Sequence, residues 1–173
     1  TGRCFADVPT DDRFVGIAIV TVSDTRDAST DSSGDLLEAR VREAGHTLVE
    51  RTICPDDAAE IYDVLRRFIA SKQVDAVITT GGTGFTGRDV TPEATASVLH
   101  KLAPGISHAM TSAALAHEPH AALSRGIAGI RDRCLVVNLP GRPRAAAQNA
   151  SGCCCTRFAQ PLSTSAPGRQ RYR

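Results

Sequence analysis

Residues 74–93 limit what this chain can become. Val74, Ala76, Val77 and Ile78 form a short apolar run with β-branched members, which reads as a buried strand. The run stops at Thr79-Thr80, and Gly81, Gly82 and Gly84 follow within four positions. Glycines let a backbone take left-handed angles and approach a ligand closely. Their bare N–H groups, with the Thr83 hydroxyl, can form an anion-binding concavity. Arg88 and Asp89 place a cation and a carboxylate beside it. Thr91 can cap a helix, Pro92 fits its first turn and Glu93 suits its positive end. The order is strand, glycine loop, charged pair, helix. A plain turn is the simpler alternative, but a turn alone rarely needs so many glycines together with a charged pair.

The rest of the chain supplies partners for that strand. Residues 14–22 are almost wholly apolar and β-branched, so they form a central strand buried on both faces and parallel to its neighbours. Ser23 and Asp24 stand at its end, where open α/β sheets hold ligands; a turn or helix cap is the other reading. Past a polar loop, Leu37, Val41 and Ala44 recur at helical spacing in a helix of about residues 34–44, which Gly45 stops. Residues 46–54 make a second strand, more polar and so nearer an edge. Pro55-Asp56-Asp57 opens a helix with the stripe Ile61, Val64, Leu65, Phe68, Ile69. Either aspartate could be only its N-cap. Further helices are expected at 92–101 and, past a break at Pro104-Gly105, at 106–117. Residues 126–130 and 134–139 flank the turn Arg131-Asp132-Arg133 as a hairpin, so one strand runs antiparallel. Pro140-Gly141-Arg142 is again a strand end, and a last helix begins at about Pro143.

The chain has 173 residues, enough for one domain with its own core, and a net charge of +1, which gives no bulk attraction to nucleic acid or membrane. No apolar run is long enough to span a bilayer, and no signal peptide is visible. Thr1 in place of methionine suggests a missing start. Cys54 and Cys134 lie in apolar strand-like runs, as reduced core residues of a cytoplasmic protein. Neither the cysteines nor His108, His117 and His120 have a metal-binding spacing. Three segments are expected: a loosely attached arm at 1–13, a domain at 14–149, and an anomalous tail at 150–173. The tail loses all periodicity and contains Cys153-Cys154-Cys155. Arginine-rich, alanine-rich composition points to a GC-rich gene, in which cysteine codons displaced by one base read as leucine or alanine. A shifted frame replacing an amphipathic helix is therefore expected, with a tail lacking order as the alternative.

Gly82-Thr83-Gly84-Phe85-Thr86-Gly87 matches G-x-G-x-x-G literally. Two features argue against a nicotinamide-dependent oxidoreductase. The helix starts several residues after the last glycine, and no acidic residue follows about twenty residues on to hold a ribose. A P-loop is excluded because Arg88-Asp89, not Lys-Ser/Thr, follows Gly87.

Thr79-Thr80-Gly81-Gly82-Thr83-Gly84 with Arg88-Asp89-Val90-Thr91-Pro92-Glu93-Ala94 closely resembles the signature of the MoaB/Mog family of molybdenum-cofactor proteins. Val22-Ser23-Asp24, Asp31-Ser32-Ser33-Gly34, Pro55-Asp56-Asp57, Leu123-Ser124-Arg125 and Asn138-Leu139-Pro140-Gly141 resemble further elements of it, in order, over about residues 14–149. The resemblance implies an α/β fold: a three-layer α/β/α sandwich on a mostly parallel sheet, assembled as a homotrimer or hexamer. It implies ATP and molybdopterin as substrates and adenylyl-molybdopterin and pyrophosphate as products, ahead of a downstream molybdate-insertion protein. Asp56 and Asp89 match the family's catalytic carboxylates, and the pair would hold Mg²⁺, which neutralises charge in phosphoryl-type transfer. Substrate binding would fall to Ser23, Asp24, Ser33, Thr80, Gly81, Gly82, Thr83, Gly84, Ser124, Asn138, Pro140 and Gly141. Arg142 departs from the Ser, Gln or Asn common there; it is either a phosphate ligand or part of the anomalous end. A pterin-binding scaffold without catalysis would carry the same binding residues.

Overall fold

Alternate residues of β1 (Gly16–Val22) face opposite ways, and each side meets its own core. Ile17 and Ile19 join Leu37, Val41, Ile78, Met110 and Val137. Ala18, Val20 and Val22 join Ile61, Leu65, Phe68, Val77 and Val136. A sheet that is apolar on both faces must lie between two helical layers, and a three-layer α/β/α sandwich results. The structure is a computed structural model describing residues 14–142. The arm expected at 1–13, the helix from Pro143 and the tail at 150–173 lie outside the described residues.

The elements that follow β1 are α1 (Ser32–Glu43), β2 (Thr47–Cys54), α2 (Ala58–Ala70), β3 (Ala76–Thr80), α3 (Thr91–Val98), β4 (Lys101–Leu102), α4 (Pro104–Leu115), a 3-10 turn (Pro119–Leu123), β5 (Ala128–Arg131) and β6 (Cys134–Leu139). In space the strands run β2-β1-β3-β6-β5-β4. Neighbours β2, β1, β3 and β6 are parallel, while β5 is antiparallel to both β6 and β4, so β5 alone runs against the rest. The expected single antiparallel strand is there, and the polar β2 stands at an edge. Leu37 and Met110 seat α1 and α4 on one face; Ile61, Leu65 and Val98 seat α2 and α3 on the other.

Three local expectations are corrected. The helix expected at 92–101 stops at Val98, because Lys101 and Leu102 pair with Ile130 and Gly129 as β4. Pro104-Gly105 does not break a helix but begins α4, since proline lacks only an N–H that the first turn leaves unpaired anyway. The strand expected at 126–130 is β5 at Ala128–Arg131, since the Ile127 amide turns to the Asn138 side chain, 3.2 Å away.

From β1 the chain goes to β2 on one side, and β3 then returns to pair with β1 on the other. The carboxyl ends of β1 and β3 therefore border a topological switch point, where the segments after β2 and β6 also emerge.

Candidate active site

Gly81 and Gly82 have positive φ, 108° and 61°, angles that strain a residue with a side chain. Neither has room for one. A Cβ on Gly81 would stand 2.2 Å from the Val22 carbonyl oxygen, and one on Gly82 2.2 Å from Thr91 Oγ1 and 2.9 Å from Asp56 Oδ1. The Gly81 N–H donates to the Leu139 carbonyl (3.1 Å), and the Gly82 carbonyl accepts from the Thr91 N–H (3.1 Å). The loop is thereby pinned between the end of β6 and the start of α3.

Two carboxylates approach this loop from separate segments. Asp56 follows β2 and reaches Gly82; Asp89 precedes α3, its Oδ2 2.9 Å from the point a Gly84 Cβ would take. The N-cap of α2 is Asp57, whose carboxylate accepts from the amides of Ala59 (2.9 Å) and Glu60 (3.1 Å), so Asp56 is not needed for it. Asp24 accepts from the Asp56 N–H (3.0 Å) and pairs with Arg88, which leans across from the loop. Burial, then the negative charges of Asp24 and Asp89, push the Asp56 carboxyl up; the Arg88 charge and the Asp24 backbone offset this only in part. Burial acts on Asp89 the same way. There, hydrogen bonds from the Thr86 hydroxyl (2.6 Å) and amide (2.9 Å), the Gly84 amide and the charge of Arg125 outweigh it and hold the carboxyl low. The two carboxyls that meet at the loop from separate segments are thus pushed in opposite directions.

A cleft of about 520 Å³ opens beside the loop. Of the residues singled out in the sequence, Ser23, Gly81, Gly82, Thr83, Gly84, Asp89, Ser124, Asn138, Pro140, Gly141 and Arg142 line it. Its far wall is α4 and the 3-10 turn, with Ser107, Met110, Thr111, Glu118 and His120. Asp24, Ser33, Asp56 and Thr80 are not among its lining residues. Ser33 is fully buried; its hydroxyl donates to the Gly141 carbonyl (2.9 Å) and accepts from Arg26 (2.8 Å). Thr80 donates to the Pro140 carbonyl (3.0 Å). Asn138 donates to the hydroxyls of Thr79 and Thr95, both at 2.9 Å, and accepts from Ile127. The polar atoms of these three side chains are committed to holding the strand ends and loops that shape the site.

Two arginines not singled out in the sequence do similar work. Arg26 also donates to the Gly141 carbonyl (3.1 Å). Arg125 donates to the carbonyls of Gly84 and Asp89, both at 2.6 Å, pairs with Glu93 and lies over the Phe85 ring. Its place in the Leu-Ser-Arg triplet was the only sequence signal for it.

No group of three His, Cys, Asp or Glu side chains that could hold a metal occurs among the described residues. Mg²⁺ needs no such cage, because one or two carboxylates and the phosphates of a substrate suffice. Asp24 and Asp89 act on Asp56 against the one opposing charge of Arg88, and oxygen donors of this kind fit a hard divalent cation.

Fold and cleft together define an α/β domain with its candidate ligand site at the carboxyl edge of parallel strands. The chain belongs to the family described as "Probable molybdopterin binding domain", whose model matches residues 18–157. It is 41% identical over 125 residues to the molybdenum cofactor biosynthesis protein B of Bacillus anthracis, covering 71% of this chain and 74% of that one. It is 35% identical over 140 residues to the molybdopterin adenylyltransferase of Haemophilus influenzae, covering 79% and 71%. With the molybdenum cofactor synthesis protein cinnamon of Drosophila melanogaster it shares 39% over 134 residues, 76% of this chain but only 22% of that much longer one. A crystal structure of a molybdopterin biosynthesis protein from Mycobacterium abscessus superposes with a TM-score of 0.79 at 36% identity, covering 86% of this chain and 94% of the other. By name, these relatives are proteins of molybdenum cofactor biosynthesis.

Proposed function

We propose that this protein is a molybdopterin adenylyltransferase of molybdenum cofactor biosynthesis. One observation carries the reading: Asp56 and Asp89, from separate segments, converge on a glycine loop at the mouth of a cleft. A phosphate oxygen of molybdopterin attacks the α-phosphorus of ATP. A P–O bond forms, the α–β bridging bond breaks, and pyrophosphate leaves with the electron pair. Asp56 and Asp89 would hold Mg²⁺, which when bound would draw charge from the phosphates. The N–H groups of Gly82 and Thr83 would hold a phosphate, since those of Gly81 and Gly84 are taken by Leu139 and Asp89, and Ser23, Thr83 and Ser124 offer hydroxyls to the bound substrates. The domain of 14–149, the cytoplasmic location and the homotrimer or hexamer belong to the same reading.

The test is pyrophosphate release with ATP, Mg²⁺ and molybdopterin. Asp56→Ala and Asp89→Ala are each expected to lower kcat about 100-fold or more, with pterin binding kept. Full activity in both variants would overturn the assignment. A second reading, pterin binding without transfer, is favoured by the absence of Asp56 from the cleft lining; it predicts tight pterin binding and no pyrophosphate from the unaltered protein.

A further inference from the structure

The cleft has two unlike ends. At one stands the glycine loop; at the other, at the head of the 3-10 turn, stands the carboxylate of Glu118. Two carboxylates line the cleft, Asp89 and Glu118. Asp89 is committed to its own loop, where Oδ2 accepts from the Thr86 amide and hydroxyl. Glu118 is committed by half. Its Oε1 accepts from the His120 N–H (3.1 Å) and from the His120 ring Nδ1 (2.8 Å). Its Oε2 has no hydrogen-bond partner among the described residues. The bonds from the His120 ring and amide, then the charges of His120 and Arg142, outweigh burial and hold the Glu118 carboxyl below its ordinary range. It is therefore ionised at neutral pH and can only accept hydrogen bonds. Pro119 between the two residues fixes φ, so the group is presented from a stiff turn.

A negative group at this end repels phosphate, so a phosphorylated ligand lies with its phosphate at the glycine loop and its other end toward Glu118. That end must offer donors. A 2-amino-4-oxopteridine does so through its 2-amino group and the adjacent N3–H. Adenine does not, because its amino group neighbours a bare ring nitrogen. We propose that Glu118 is a specificity-determining residue for the pterin: Oε2 accepts from the 2-amino and N3–H edge, while His120 holds the carboxylate in place. The inference rests on the proposed reading of the cleft as a molybdopterin site.

The experiment measures molybdopterin binding by anaerobic equilibrium dialysis to the full chain, unaltered and as Glu118→Gln and Glu118→Ala. Glutamine keeps an oxygen for the His120 N–H and turns the second acceptor into a donor. It is expected to raise the Kd about tenfold or more and to leave the KM for ATP unchanged. Pterin and lumazine, which differ only in an amino or oxo group at C2, then compete with molybdopterin. The unaltered protein is expected to prefer pterin by about tenfold, and Glu118→Gln to lose that preference. A Glu118 that merely shapes the turn would lower the melting temperature of Glu118→Ala and leave the pterin-to-lumazine ratio untouched, and that result overturns the inference. An unchanged molybdopterin Kd in both variants, with pyrophosphate still released, removes this inference alone. Failure of the unaltered protein to bind molybdopterin removes the proposed function with it.

Discussion

A loop of glycines holds its shape only if something outside it does the holding, and Arg125 supplies much of that. Its guanidinium takes two carbonyls of the loop region, Gly84 and Asp89, while its own amide donates to the Thr83 carbonyl (2.9 Å). Lysine carries the same charge but not the planar fork that meets two acceptors at once. Arg125→Lys is expected to cost about 1–3 kcal/mol, read from the urea midpoint, and to speed amide exchange across residues 83–89. At this scale the sequence is partly legible. The glycines and Asp89 stand out because their grouping has no cheaper explanation. Arg125 and Arg26 do not, because an arginine in a polar stretch is ordinarily solvated and its carbonyl partners lie far along the chain. Ser33, Thr80 and Asn138 are legible as positions near the site. Where their polar atoms point is decided by cross-strand neighbours that no local window contains.

Among the elements, α1 shows how a helix start can tie a sheet together. Its N-cap, Asp31, is fully buried and accepts from the Gly34 amide (3.0 Å), the Thr21 hydroxyl of β1 (2.7 Å) and Arg51 of β2 (2.8 Å). Asp31→Ala would leave the helix uncapped and the Thr21 hydroxyl without its acceptor, while Arg51 keeps Asp35 and Glu38. A loss of about 1–3 kcal/mol is expected for the buried groups left unpaired, measured by urea unfolding. Because α1 also carries Ser33, which holds Gly141, activity should fall in the same variant. Elements with a strong period are the legible ones: the stripe of α2 places Ile61, Leu65, Phe68 and Ile69 in the core as its spacing requires. The two-residue β4 is not legible, because its only cause is the pairing with β5. Nor is Pro104, which reads alike as a stop or a start until the neighbouring strand is known.

The whole molecule should respond to acid in a way its carboxylates dictate. Asp31 feels burial first, but its bonds to Thr21, Gly34 and Arg51 prevail and keep it below its ordinary 3.8. A lowered folded value means the unfolded chain takes up protons first. Stability from Asp31 is therefore complete above about pH 4 and drains away as the pH falls through the folded value. Asp56 has the opposite sign: burial and two like charges raise it, so its ionisation works against the fold as the pH rises. Without divalent cation, Asp56→Asn should raise the melting temperature at pH 7 and make no such difference near pH 3, as calorimetry at the two values would show. The overall architecture is the most legible level. Strands that are apolar on both faces need two helical layers whatever the details of the turns.

The Leu139 carbonyl that receives the Gly81 amide belongs to the final strand of the described fold. A chain emerging from the ribosome has therefore made its glycine loop some sixty residues before it makes the peg on which that loop hangs. Until β6 slides in beside β3, the segments around Ser23, Asp56 and Gly81 are framed by β1, β2 and β3 alone, without the Leu139 carbonyl or the cleft wall of Asn138, Pro140 and Gly141. The complete cleft is thus a property of the finished sheet, and a nascent chain halted before Cys134 would hold the glycine signature while lacking one wall of the cleft beside it.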